Sequence, residues 1–200
     1  MKNDEKATRN HFNNLAGNWD ENCHPEKQKI IHFLKEIDLK PDQKILDLGC
    51  GTGVLFPYLS ELTEEKSEIC AIDSAICMAA TAFKKNSANV EIICADIQFL
   101  PLSSCCFDRI IAYQVFPHIS NQFQAIKECY RILKQGGLLA IVHPRGSQEM
   151  NDFHKALGGV VESHILLSGE KMAALAKKTT FEIRIVRDNP EEYFIVAQKK

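Results

Sequence analysis

The stretch "ILDLGCGTG", residues 45–53, places three glycines in five positions directly after an apolar run. Glycine lacks a β-carbon and tolerates positive φ. Gly49, Gly51 and Gly53 therefore predict a tight strand-to-helix turn whose backbone can approach a ligand closely. Backbone N–H groups at the start of the following helix would face the same crevice. Spacing excludes two common uses of such a turn. A dinucleotide turn needs G-x-G-x-x-G, and Val54 stands where its last glycine belongs. A phosphate-binding loop needs a lysine after its last glycine, and "GVLF" supplies none.

The segments around the turn alternate between strand and helix. Ile30, Phe33, Leu34 and Ile37 recur at i, i+3, i+4 and i+7, one stripe of a helix. The runs "KILDLG", "SEICAID", "NVEIICAD", "FDRIIAY" and "GLLAIVH" read as five strands. They are nearly continuous in Ile, Leu, Val, Ala and Cys, as a parallel sheet covered on both faces requires. "VLFPYLSEL" reads as a helix with Pro57 in its first turn. Ile76, Ala79, Ala80 and Phe83 mark another helical face, and Phe123, Ile126, Tyr130 and Leu133 a third, ended by Gly136-Gly137. "FEIRIVRD" and "EEYFIVAQK" predict a closing antiparallel pair. The fold class is α/β, doubly wound.

With 200 residues and 45% hydrophobic content the chain can bury one core. Residues 25–200 are expected to form it, with 1–24 as an arm and about 144–168 as an insertion beside the site. A net charge of −2 and a pI near 6.4 provide no broad basic surface, so nucleic acid is not an expected partner. No run approaches the roughly 18 apolar residues that cross a bilayer, and the opening lacks the apolar core of a signal peptide. A cytoplasmic protein without a membrane partner is the expectation. Its eight cysteines show no C-x-x-C spacing and read as small buried hydrophobes in a reducing compartment.

Asp73 ends the second strand and Asp96 the third. Either acid alone would serve as a helix cap. A glycine turn and two acids at three successive strand ends instead mark one edge of the sheet as a ligand site, with Asp73 placed to hold a ribose.

Together "ILDLGCGTG", "AIDSAICM", "ICADIQFLPLSSCCFDRIIAY" and "CYRILKQGGLLAIVHP" resemble the class I methyltransferases that use S-adenosylmethionine, in the subgroup of small-molecule and quinone-biosynthesis enzymes. The resemblance covers roughly residues 43–143. It implies a Rossmann-like seven-stranded sheet, mostly parallel with an antiparallel last strand and helices on both faces. It also implies a cofactor, S-adenosylmethionine, and a small-molecule acceptor methylated by in-line displacement. By the same resemblance, the backbone from Gly49 through Cys50 and Gly51 to Gly53 passes beside the methionine part, and Asp47 orients its amino group. Asp73, with Ser74 beside it, holds the ribose. Asp96 accepts from the adenine amino group, and Ile97 donates its N–H to the ring. Ile76 and Met78 are apolar walls, and Tyr113 and Gln114 line the sulfonium end.

The acceptor side is less defined. His118 follows the fourth strand and is either a base, neutral at cytoplasmic pH, or an ordinary loop histidine. His143 ends the fifth strand, and Asn151 and His154 lie on "SQEMNDFHKAL". With His118 these histidines suggest substrate polarity, a base, or three imidazoles for a metal. Phe12 and Trp19 are seven apart and form a lid over the cofactor or pack on the sheet edge. Two other readings stay open: a module that binds S-adenosylmethionine without turnover, and a nicotinamide oxidoreductase.

Overall fold

The computed structural model describes residues 2–23, 26–85 and 89–200. Seven strands form one sheet in the order β3-β2-β1-β4-β5-β7-β6. They are β1 (Lys44–Leu48), β2 (Glu68–Asp73), β3 (Val90–Cys94), β4 (Phe107–Tyr113), β5 (Leu133–His143), β6 (Glu182–Asn189) and β7 (Glu192–Gln198). Neighbours from β3 to β5 pair in parallel. β7 pairs antiparallel with both β5 and β6, so it alone runs against the rest.

Residues alternate between the two faces, and both faces are buried, which is why these strands are apolar without a break. Ile45, Ile69, Ile111, Ala140 and Val142 meet α3 (Lys27–Glu36) and α4 (Phe56–Leu62). Leu46, Leu48, Ile72, Ile110, Leu139 and Ile141 meet α6 (Gln122–Ile132) and α8 (Gly169–Lys177). The stripe of Ile30, Phe33, Leu34 and Ile37 is buried at 2% exposure or less, as the periodicity predicts.

Three local expectations are corrected. On α5 (Ile76–Lys84) the buried residues are Met78, Ala79 and Ala82, while Ile76 and Phe83 are 57% and 74% exposed. The small alanines face the sheet, which brings this helix close and turns the larger side chains outward. On α6 the buried stripe is Ala125, Ile126, Cys129 and Ile132, and the helix ends before the glycines. Leu133 already pairs with Phe107, and Gly136-Gly137 lie in a bulge before Arg109 meets Leu138. A β-carbon on Gly137 would stand 2.9 Å from Leu133 Cδ2, so its lack of a side chain serves that close passage. Among the cysteines only Cys50, Cys70 and Cys129 are fully buried; Cys77, Cys94 and Cys105 are exposed, and all eight are free thiols.

The N-terminal arm forms α1 (Lys2–Leu15), a 3₁₀ turn and α2 (Trp19–Asn22). α7 (Ser147–Leu157) and a 3₁₀ turn at Gly159–Val161 occupy the expected insertion. The expected arm boundary at residues 24 and 25 lies outside the described residues. No helix among the described residues is long and apolar enough to cross a membrane.

Candidate cofactor and acceptor site

The carboxyl ends of β1, β2, β3, β4 and β5 open on one edge, and the strand order reverses between β1 and β4, where open α/β sheets bind ligands. The glycine turn sits at this reversal. Gly49, Gly51 and Gly53 all have positive φ, at 77°, 54° and 84°. A β-carbon on Gly49 would stand 2.3 Å from Val115 Cγ2, whereas one on Gly51 would meet nothing within 4 Å. Gly49 is thus needed for packing across the β1/β4 gap. Gly51 presents bare backbone to open space. Cys50 is buried behind the turn, and burial drives its thiol pKa well up.

Two acids flank the turn. Asp73 accepts from Gly51 N–H (2.8 Å to Oδ2) and from Ala75 N–H (2.8 Å to Oδ1), which ties β2 to the turn. Burial raises the Asp73 pKa against the lowering effect of these N–H donors. Ser74 beside it is half-buried. Asp47 is only 2% exposed, and its Oδ2 has no hydrogen-bond partner among the described residues. Burial, reinforced by the Asp73 charge, pushes its pKa up to about 8. An orphaned buried carboxylate invites a cationic partner, and an α-ammonium group fits that need.

Farther along the edge, Asp96 Oδ1 accepts from the Gln98 backbone N–H at 2.9 Å, with Ile97 buried between them. Tyr113 is buried, and burial pushes its pKa up to about 12 against the lowering effect of the neighbouring Gln114 side chain. Gln114, next in the chain, holds a φ of 57°, unusual for a side chain of its size, and its N–H donates to Val142 O at 2.8 Å. Met78 is buried and packs with Ala16 and Ala75 against Phe12 and Trp19 of the arm.

Phe12 and Trp19 share one face of the arm, with ring centroids 5.9 Å apart. Phe12 also meets His118 edge-on at 4.9 Å. The arm is bonded along the whole site edge. Thr52 Oγ1, in the glycine turn, donates to Asp20 Oδ1 at 2.6 Å, and Asn13 accepts from Cys77 N–H at 2.9 Å. Glu5 accepts from Ser120 Oγ at 2.6 Å and from Gln98 Nε2 at 3.2 Å.

Next to Phe12 the imidazoles gather. His118 lies with ring centroids 5.1 Å from His154 and 5.0 Å from His164. His143 is 1% exposed and stacks edge-on against Tyr193, and neither of its ring nitrogens has a partner among the described residues. Burial, and then the neighbouring His154, lowers its pKa to about 3. His118 is lowered well below the usual value by burial first and by the surrounding histidines second. Among the described residues no group of three or more His, Cys, Asp or Glu side chains is arranged to hold a metal ion. His118 instead turns Nδ1 to His164, and His154 turns Nδ1 to the His164 carbonyl, which corrects the three-imidazole metal reading. Asn151 is engaged within the insertion. Its amide donates to Leu166 O and accepts from Leu166 N–H, pinning the insertion.

Sequence reasoning missed His164, Gln98, Glu5 and Thr8. His164 sits in an irregular segment without periodicity, and no local signal marked it. Gln98 follows Asp96 and Ile97 directly and was within reach of the same strand-end argument.

Known proteins supply the remaining comparison. Residues 46–141 match the family described as "Methyltransferase domain". A malonyl-[acyl-carrier protein] O-methyltransferase of Bacillus cereus is 34% identical over 133 residues, 64% of this chain and 49% of that protein. A ubiquinone biosynthesis O-methyltransferase of Coxiella burnetii is 27% identical over 137 residues, 64% of this chain and 57% of that protein. The chain thus spans about half the length of the curated relatives it matches. A SAM-dependent methyltransferase from Aquifex aeolicus shares the fold with a TM-score of 0.74 at 23% identity, over 94% of this chain and 98% of that one. The glycine turn, the strand-end acids and the seven-stranded order agree with these matches and not with a nicotinamide enzyme: residues 46–141 match a methyltransferase domain, in a chain whose fold is that of a SAM-dependent methyltransferase.

Proposed function

We propose that this chain transfers the methyl group of S-adenosylmethionine to a small-molecule acceptor. The observation that carries the reading is the buried Asp47 side chain, whose Oδ2 has no hydrogen-bond partner among the described residues, beside a bare-backbone turn. When bound, the cofactor supplies a methyl group on a cationic sulfur that leaves readily. The chain has to hold the partners in line, a contribution worth about 7 to 11 kcal/mol in well-oriented systems.

In this reading Asp47 accepts from the α-ammonium group, and Gly49 to Gly53 pass beside the methionine chain. Asp73, with Ser74 at its side, accepts from the ribose hydroxyls. Asp96 accepts from the adenine amino group, and Ile97 donates its N–H to the ring. Tyr113 and Gln114 border the sulfonium. His118 and His143 face the acceptor as neutral imidazoles, and Phe12 and Trp19 close residues 1–24 over both ligands to exclude water. Residues 25–200 act as one domain. The eight free thiols suit the cytoplasm.

Titration calorimetry with S-adenosylmethionine and S-adenosylhomocysteine tests the cofactor reading, and saturable binding is expected. Transfer of labelled methyl into pools of small hydroxyl, thiol and amine compounds tests turnover. Saturable binding with no label transferred to any pool would favour a non-catalytic sensor.

A further inference from the structure

His118 and His164 are both half-buried, and Thr8 is on the arm above them. His118 Nδ1 stands 2.8 Å from His164 Nδ1, and His164 Nε2 stands 3.2 Å from Thr8 Oγ1. Two ring nitrogens at that distance share one proton: one donates and the other accepts. A threonine hydroxyl does either. The row is therefore satisfied in two ways, one leaving His118 Nε2 unprotonated and the other leaving it protonated. His154 does not compete, because its Nδ1 is 2.9 Å from the His164 carbonyl oxygen and must donate to it. No described residue hydrogen-bonds His118 Nε2.

We propose that His118, His164 and Thr8 form a proton relay from the acceptor site to the surface, and that the acceptor reacts through a hydroxyl group. This rests on the methyl-transfer reading above. In the step, the acceptor O–H bond breaks and its proton goes to His118 Nε2. The Nδ1 proton of His118 passes to His164 Nδ1, and the Nε2 proton of His164 passes through Thr8 to solvent. The oxygen bonds the methyl carbon as the carbon–sulfur bond breaks, and sulfur keeps that electron pair.

The surroundings favour outward movement of the charge. His118 packs against Phe12, and desolvation first and then the imidazoles of His164, His154, His143 and His11 disfavour a retained proton on it. His164 is more open, and the Asp4 charge favours its protonated form against the effects of burial, His154 and His11. Beyond it lies an open cleft of about 710 Å³ lined by Thr8, His118 and His164 together with Asp4 and Glu5.

The test uses the full chain, labelled with ¹⁵N-histidine and saturated with S-adenosylhomocysteine, read by long-range ¹H–¹⁵N correlation at pH 7. Expected are two neutral rings and a protected Nδ1 proton between them. Thr8→Val, which removes donor and acceptor at nearly constant shape, should shift the His164 tautomer. It should also speed exchange of the shared proton about tenfold, the scale of one lost hydrogen bond. Thr8→Ser should restore both. His164→Asn should remove the shared proton signal while the fold, checked by backbone amide spectra, persists. A His118 ring that is cationic at pH 7, or one whose tautomer and exchange ignore Thr8→Val and His164→Asn, overturns the relay. Failure of the unmodified chain to bind S-adenosylhomocysteine overturns the methyl-transfer reading instead, and the tautomers remain measurable without ligand.

Discussion

Asp47 makes cofactor affinity depend on pH in a direction that can be worked out beforehand. Burial and the Asp73 charge push its pKa in the folded chain up to about 8, against an ordinary aspartate value of 3.8. Between pH 5 and 7 the free protein therefore holds Asp47 protonated, and an arriving ammonium group is best met by the ionised form. Binding must release a proton, so affinity should rise up to tenfold per pH unit, about 100-fold or 2.7 kcal/mol across that window. The window closes above roughly pH 7.7, where an α-amino group itself begins to titrate. Asp73, also raised by burial, acts in the same direction. Stability carries the opposite sign. The unfolded chain loses the Asp47 proton near pH 4 and the folded chain only near 8. Stability therefore falls as pH rises through that interval, by about 4 kcal/mol at pH 7 as an order of magnitude. Asp47→Asn should raise the melting temperature of the free protein at pH 7, weaken the cofactor, and leave only the slope that Asp73 contributes. Titration calorimetry at pH 5, 6 and 7, in two buffers of different ionisation enthalpy, measures affinity and proton release together. Equal affinity at pH 5 and 7 with no proton released would refute the assignment of Asp47 to a cation.

Asp73→Ala should weaken S-adenosylmethionine binding by about 1 to 3 kcal/mol, the range for hydrogen bonds to a charged acceptor, as read by calorimetry. Gly49→Ala should destabilise the fold by about 1 to 3 kcal/mol in urea unfolding, since its β-carbon meets Val115 at 2.3 Å and φ is 77°. Gly51→Ala meets open space, so it should cost only about 1 to 2 kcal/mol for its positive φ yet lose cofactor affinity disproportionately. Phe12→Ala should red-shift the fluorescence of Trp19, the single tryptophan, because the ring that covers it edge-on is gone.

The sheet was legible because its physics is local to each strand: continuous apolar runs with both faces buried, and turn chemistry at 49–53. The acidic edge was legible because Asp47, Asp73 and Asp96 lie at strand ends, which topology alone brings together. What failed depended on contacts between distant segments. Ile76 and Phe83 satisfied helical spacing, but the small residues Ala79 and Ala82 set the approach to the sheet. Gly136-Gly137 looked like a helix cap, but pairing of Leu133 with Phe107 had already ended the helix. His164 joins His118 across 46 positions, a separation that no window of sequence can span.

The arm explains why the cofactor and acceptor halves need each other. One helix and its short extension touch the glycine turn through Asp20, the α5 start through Asn13, the Gln98–Ser120 pair through Glu5 and the imidazole pair through Thr8. Asp20 and its partner Lys85 are 52% and 36% exposed, and surface contacts of this kind are worth about 0 to 1 kcal/mol each. Four of them, with the Phe12 and Trp19 packing, hold the arm by a few kcal/mol at most, so the lid role proposed for it does not require the sheet to unfold. Because its contacts run from the turn to the relay, disturbing either end loosens the same element. On the proposed readings of both sites, cofactor seating and His164 tautomer are thereby coupled through the arm.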